Sequence, residues 1–229
     1  MEMMIVMVLV MAISGVILQT INVVGSRSAS EQSKTDVFQE AREFMDQMSR
    51  DLRQAGYPSP RNLDPSLFNQ ANPYMNDHRA AAGLVSVSAT DLQFEGDTDG
   101  TGQVKVIHYH LDTDTANGCP CLKRSELVKV DGDPLTEQTS EIYQVEVQGV
   151  KNTSIFSVYN NGDAISLPLD ITTAGGNTIA QADTIQAMLT LESSAIDPQT
   201  RQKSVTTLVS TVRLNNCSQA AIGFKTSCQ

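Results

Sequence analysis

The chain has 229 residues, with 16 Lys and Arg against 26 Asp and Glu and a net charge of −10. That balance argues against a direct nucleic-acid partner, which needs a basic patch to displace the counterions of phosphate. Four cysteines suit an oxidising compartment such as a periplasm or cell surface, and with no Trp and 5% aromatic residues the core must rely on Val, Ile and Leu.

The chain opens on MEMMIVMVLVMAISGVILQTINVV, residues 1–24, in which Glu2 is the one charged residue. About 20 mostly apolar residues suffice for a bilayer-crossing helix, and Met3 to Val24 provide them. Ser14, Gly15, Gln19, Thr20 and Asn22 moderate the span. Such residues suit a helix that packs on other helices through small and hydrogen-bonding side chains. A secretory signal peptide needs a basic leading region, a shorter apolar stretch and a small-residue cleavage site. The basic region is missing and the helical pattern continues past residue 25, so that reading is rejected. The first basic residue is Arg27, on the side of the large domain, so the positive-inside rule gives no clean orientation. An ionised carboxylate at the centre of a span costs roughly 2.5–3.5 kcal/mol on insertion scales. Near the end of a span the cost falls, and a partner removes it. Glu2 is therefore a candidate functional residue, against the alternative that it reaches the head groups.

Next, VFQEAREFMDQMSRDLRQAG places Val37, Ala41, Phe44, Met45, Met48, Leu52 and Ala55 at three- and four-residue steps, the pattern of one helical face that covers a sheet. Gly56 is a natural stop and Pro58 cannot continue the helix. An unbroken helix over 1–55 would be roughly 80 Å long. Residues 57–82 hold four of the eight prolines and read as a loop or short turns. From Gly83 the period becomes two. Tyr143, Val145 and Val147 alternate with polar neighbours, Ile185, Ala187, Leu189 and Leu191 do the same, and VTTLVSTVRL (205–214) is rich in β-branched residues. Turn clusters such as EGDTDGTG, DTDTANG, NNGD and AIDPQTRQ separate the strands, with no helical crossover of the required length between them. That order predicts antiparallel hairpins. The predicted fold is α+β: an apolar half-helix over 1–25, an amphipathic half over 26–56, and an antiparallel β-rich domain over 57–229.

Three stretches carry a resemblance to the type IV pilin superfamily. MEMMIVMVLVMAISGVIL resembles its assembly helix, with Glu2 at the place of the characteristic acid. FMDQMSRDLRQAGYP is similar to the end of that helix in minor pilins of the PilW kind and J-type minor pseudopilins of type II secretion. ADTIQAMLTLES with SVTTLVSTVRLNN resembles their closing hairpin. The likeness is strong over 1–57, moderate for the last hairpin and weak between. It implies a pilin-like fold and a subunit that helps initiate, and caps, a filament, its acid meeting the free amino terminus of a neighbour. It further implies other pilin or pseudopilin subunits and a tip adhesin as partners. The location would be the inner membrane with a periplasmic domain, then a pilus or pseudopilus. The family's basic leader and Gly-Phe junction do not precede Glu2 here, and a start upstream of Met1 is the expected explanation.

Four cysteines allow three disulfide connectivities, and the sequence does not choose between them. The resemblance favours Cys217 with Cys228, closing a loop like those that brace pilin domains, which leaves Cys119 with Cys121 across Pro120; crossed pairing stays open. His108 and His110, on one face of a strand, together with Cys119 and Cys121 offer four ligands of the kind zinc takes. The spacing matches no standard zinc pattern, and exported cysteines usually pair, so no metal is assigned. Glu95, Asp97 and Asp99 before Gly100 look like a calcium loop, yet Val106 stands where the twelfth-position carboxylate belongs. A hairpin turn explains these residues as well, and no cofactor is assigned. No catalytic set emerges, so an enzyme is not expected. The competing class is a monomeric membrane-anchored extracytoplasmic binding protein, with a metal at the His and Cys cluster.

Overall fold

The computed structural model of the chain describes residues 2–58, 74–138, 140–172 and 176–215. Helix α1 runs unbroken over Glu2–Gln54, 53 residues or about 80 Å at 1.5 Å per residue. Thr20, Ser26, Thr35 and Ser49 turn their hydroxyls back onto the carbonyls of Val16, Val23, Glu31 and Met45. These four hydroxyls are thus satisfied within the rod. Gly56, with φ of +80°, ends it as the sequence predicts.

Ten strands follow among the described residues: β1 (Leu84–Val87), β2 (Asp91–Gly96), β3 (Lys105–Asp112), β4 (Cys121–Val128), β5 (Gln144–Gln148), β6 (Phe156–Asn160), β7 (Asp163–Ile165), β8 (Leu169–Asp170), β9 (Thr184–Ile196) and β10 (Lys203–Arg213). A four-residue helix α2, Gly176–Ile179, precedes β9. The strands form a six-stranded sheet in the order β5-β4-β3-β2-β1-β8 and a four-stranded sheet in the order β10-β9-β6-β7. All pairings are antiparallel. The sheets join at a seam where Val150 bridges Leu191.

The second half of α1 lies against β9 and β10 of one sheet and β5 and β2 of the other. Ala41, Phe44, Met45, Met48, Leu52 and Ala55 are buried, and Val37 packs at the rim. They meet Leu92, Phe94, Ile107, Tyr109, Leu122 and Val147 from one sheet, and Ile185, Ala187, Leu189 and Leu191 from the other. The helical and strand periods therefore converge on one core. Near β5 the alternation breaks. A register shift between Leu122 and Lys123 leaves Val145 exposed while Val147 is buried, because a bulge re-aims the side chains beyond it.

Turn segments near residues 75–82 and 129–138 cover the other face of the six-stranded sheet, and beside their apolar Met75, Ala82 and Leu135 they make buried polar contacts. The Lys129 ammonium, with no solvent exposure, bonds to Glu95 Oε2 at 2.6 Å, Met75 O at 2.5 Å and Ala80 O at 2.8 Å. Glu95 also accepts from the Ala82 N–H at 2.8 Å. Gln93 Nε2 donates to Pro134 O at 3.2 Å.

Candidate functional site

From Met3 to Val24 every side chain of α1 is exposed. This part of the helix is long and apolar enough to cross a membrane, and none of it is buried by the rest of the chain. A bare apolar surface of that extent marks a membrane or interaction surface. Glu2 stands in the first turn, and its side chain lies outside the described residues.

The seat of the helix begins at the tip of the β9–β10 hairpin. Ser30 is buried there, Ser33 Oγ lies 2.9 Å from Ser194 Oγ, and Ala195 N–H donates to Ser33 Oγ at 3.4 Å. Further along, Ser49 Oγ lies 2.9 Å from Ser210 Oγ. Small side chains let strand and helix approach closely where no large apolar group fills the gap.

The lower end is fixed by MSRDLRQAGY. Asp51 is nearly buried and accepts from Tyr109 OH at 3.0 Å and from Arg124 Nη2 at 2.9 Å. Arg124 also donates to Glu126 Oε2 at 2.5 Å and stands 6.0 Å over the Tyr109 ring. The Phe44 ring meets Tyr109 edge-on at 5.4 Å. Burial opposes the charged guanidinium, but Tyr109, Asp51 and Glu126 outweigh it and hold Arg124 above its ordinary value. After Leu52, Ala55 bridges Gly96, Gly56 N–H donates to Glu95 O at 2.8 Å, and Asp97 N–H donates to Tyr57 O at 2.7 Å. The helix thus ends by pairing with β2. Sequence periodicity placed Met48, Leu52 and Ala55 of this stretch on the packed face, but it missed Asp51 as a buried latch. The signal was available: an acid between two buried apolar positions, Met48 and Leu52, on the packed side of the helix.

Cys119 and Cys121 are disulfide-bonded to each other, which removes the thiolates that a site with His108 and His110 would use. Cys217 and Cys228 lie outside the described residues. The two histidines instead meet carboxylates. His110 Nδ1 lies 2.5 Å from Asp91 Oδ1 and His108 Nδ1 lies 2.8 Å from Glu141 Oε1. The calcium-like loop is also otherwise engaged. Glu95 points inward to Lys129, Asp97 accepts from the Thr101 and Gly102 N–H groups, and Asp99 holds the Lys105 ammonium at 2.6 Å. These residues close a hairpin turn, and a lysine already occupies the place of a cation.

No model of a known protein family matches the chain, and no curated protein matches it. The geometry therefore stands by itself: one helix able to cross a membrane, continuous with the spine of an α+β domain.

Proposed function

We propose that the chain is a minor subunit of a filament of the type IV pilin kind, which helps start assembly and caps the tip. The observation that carries this reading is the continuity of α1, bare and apolar up to Val24 and packed on two sheets from Ala41. A rigid rod so built can rest in a membrane and then pass into a bundle of like helices without refolding. Its apolar side chains exchange lipid for neighbouring helices, and Ser14, Gly15 and Thr20 permit close approach. In this reading Glu2 offers its carboxylate to the amino terminus of the next subunit, a charge pair that sets register where water is scarce. The Cys119–Cys121 disulfide supports a domain on the periplasmic side of the inner membrane, and later in the filament. The partners are other pilin or pseudopilin subunits, and the work is mechanical.

The test uses cells that make the native chain or Glu2→Ala, each with a processing leader supplied. Filaments are sheared off, counted by microscopy and probed for this chain. Native protein is expected in them at low copy, and the substitution should lower its incorporation by about tenfold or more, the factor for a lost contact of 1.4 kcal/mol. Protein that stays in the membrane fraction, with filaments indifferent to its loss, would leave a monomeric anchored domain as the better reading.

A further inference from the structure

On the face of the six-stranded sheet opposite α1, five side chains from three segments form one cluster. Asp91 comes from β2, His108 and His110 from β3, and Glu141 and Tyr143 from residues 140–143, which lead into β5. His108 stands between two carboxylates, one at each ring nitrogen. Nδ1 lies 2.8 Å from Glu141 Oε1 and Nε2 lies 3.6 Å from Asp91 Oδ1. Tyr143 OH closes the group, donating to Glu141 Oε2 at 2.5 Å and standing 2.7 Å from His108 Nδ1. The His110 ring lies 6.4 Å from that of His108 and 5.8 Å from Tyr143, and it gives Asp91 a second ring contact.

We infer that His108 is a pH-dependent clamp that ties the approach to β5 onto β2 and β3. An imidazolium carries two N–H donors, whereas a neutral ring carries one donor and one acceptor. Only the protonated ring serves Asp91 and Glu141 together. Once it loses its proton, one carboxylate faces a lone pair, and two acids flank a neutral ring. The other groups at the cluster do not replace the lost charge. From the turn between β1 and β2, Thr90 and Ser88 bond to Asp91. From β4, Ser125 stands opposite His108 and Lys123 opposite His110, and the Lys123 ammonium is held by Asp112 at 2.5 Å. What the clamp holds is an edge strand, since β5 pairs with β4 alone in its sheet.

The charge balance supports this. Burial disfavours the charged ring, but the bonds and charges of Asp91 and Glu141 outweigh it and raise His108 above its ordinary 6.5. Burial likewise pushes Asp91 up, while bonds from His108, Thr90 and His110 pull it well below the usual carboxylate range. For a histidine raised on folding, the stabilisation is complete below the ordinary value and is lost as pH rises through the folded one. The clamp is therefore closed in mild acid and open in mild base.

Hydrogen exchange of the full chain in detergent micelles at pH 6 and pH 8.5, corrected for intrinsic rates, tests this. Protection of the amides of 140–148 should be lower at pH 8.5 than at pH 6, because the raised ring has then lost the proton that holds both carboxylates. His108→Gln, which donates the same bond at every pH, should abolish the difference, while His78→Gln should keep it. Native protection that does not change with pH, or an equal fall in His108→Gln, would overturn the clamp. Should His108→Gln fail to fold, ring titration of the native chain by nuclear magnetic resonance decides, because a His108 midpoint at or below 6.5 sinks the inference. The clamp is read in the protection of 140–148 and filament assembly in incorporation, so either can fail without the other.

Discussion

Lys129 and Glu95 illustrate how a single residue pair holds a layer of turns. Both side chains are without solvent exposure, so each charge has lost its water and depends on the other and on backbone carbonyls. Removing one partner of such a pair costs about 3–5 kcal/mol, since the remaining charge is buried unpaired. Lys129→Met should lower stability by that amount in denaturant unfolding of the full chain in micelles. Adding Glu95→Gln should recover a large part of it, because the neutral amide needs no countercharge. If the double variant is as unstable as the single one, the carbonyls of Met75 and Ala80, and not the charge pair, dominate the site.

At the scale of elements, the junction of α1 with β2 is decided by close approach. A Cβ at Gly96 would stand 2.4 Å from the Gln54 carbonyl oxygen and 3.3 Å from the Ala55 Cα. These are backbone atoms that cannot swing away. Gly96→Ala should therefore destabilise the fold by about 1–3 kcal/mol through overpacking, and it should loosen the bridge that ends the helix. Gly15 has open space around it, so Gly15→Ala should leave the domain's unfolding unchanged while raising intrinsic helix stability by up to about 1 kcal/mol. Paired thermal melts followed by circular dichroism distinguish the two: a Gly96→Ala variant that melts with the native chain would show that α1 and β2 are not held in this register.

For the whole molecule, the two halves of α1 answer to different surroundings. The domain buries Ala41 to Ala55 but nothing between Met3 and Val24, so the apolar half contributes no packing to the domain's stability. A chain that begins at Ser26 should need no detergent, run as a monomer by light scattering, and unfold at the midpoint of the full chain. Aggregation of that shortened chain would point to further adhesive surface on the sheets. A shifted midpoint would mean that the first 25 residues support the domain.

The sequence alone determined the elements whose apolar period is long and regular. The face from Val37 to Ala55 and the stripe Ile185, Ala187, Leu189 and Leu191 were legible because burial on one side repeats every 3.6 or every two residues. The bare span was legible because its length matches a bilayer. Only the tertiary structure divided the strands into two sheets joined at Val150, since pairing partners depend on long-range contacts that leave no local period. It alone turned Glu95 from a suspected calcium ligand into the countercharge of Lys129, and among the cysteine pairings left open it selected Cys119 with Cys121. It also brought Asp91 and Glu141 to the two nitrogens of His108. Residues 17 and 33 positions from that histidine meet it only once β2, β3 and the approach to β5 lie side by side. Charged groups carry no periodic signal, so their partners are set by the fold and not by their spacing.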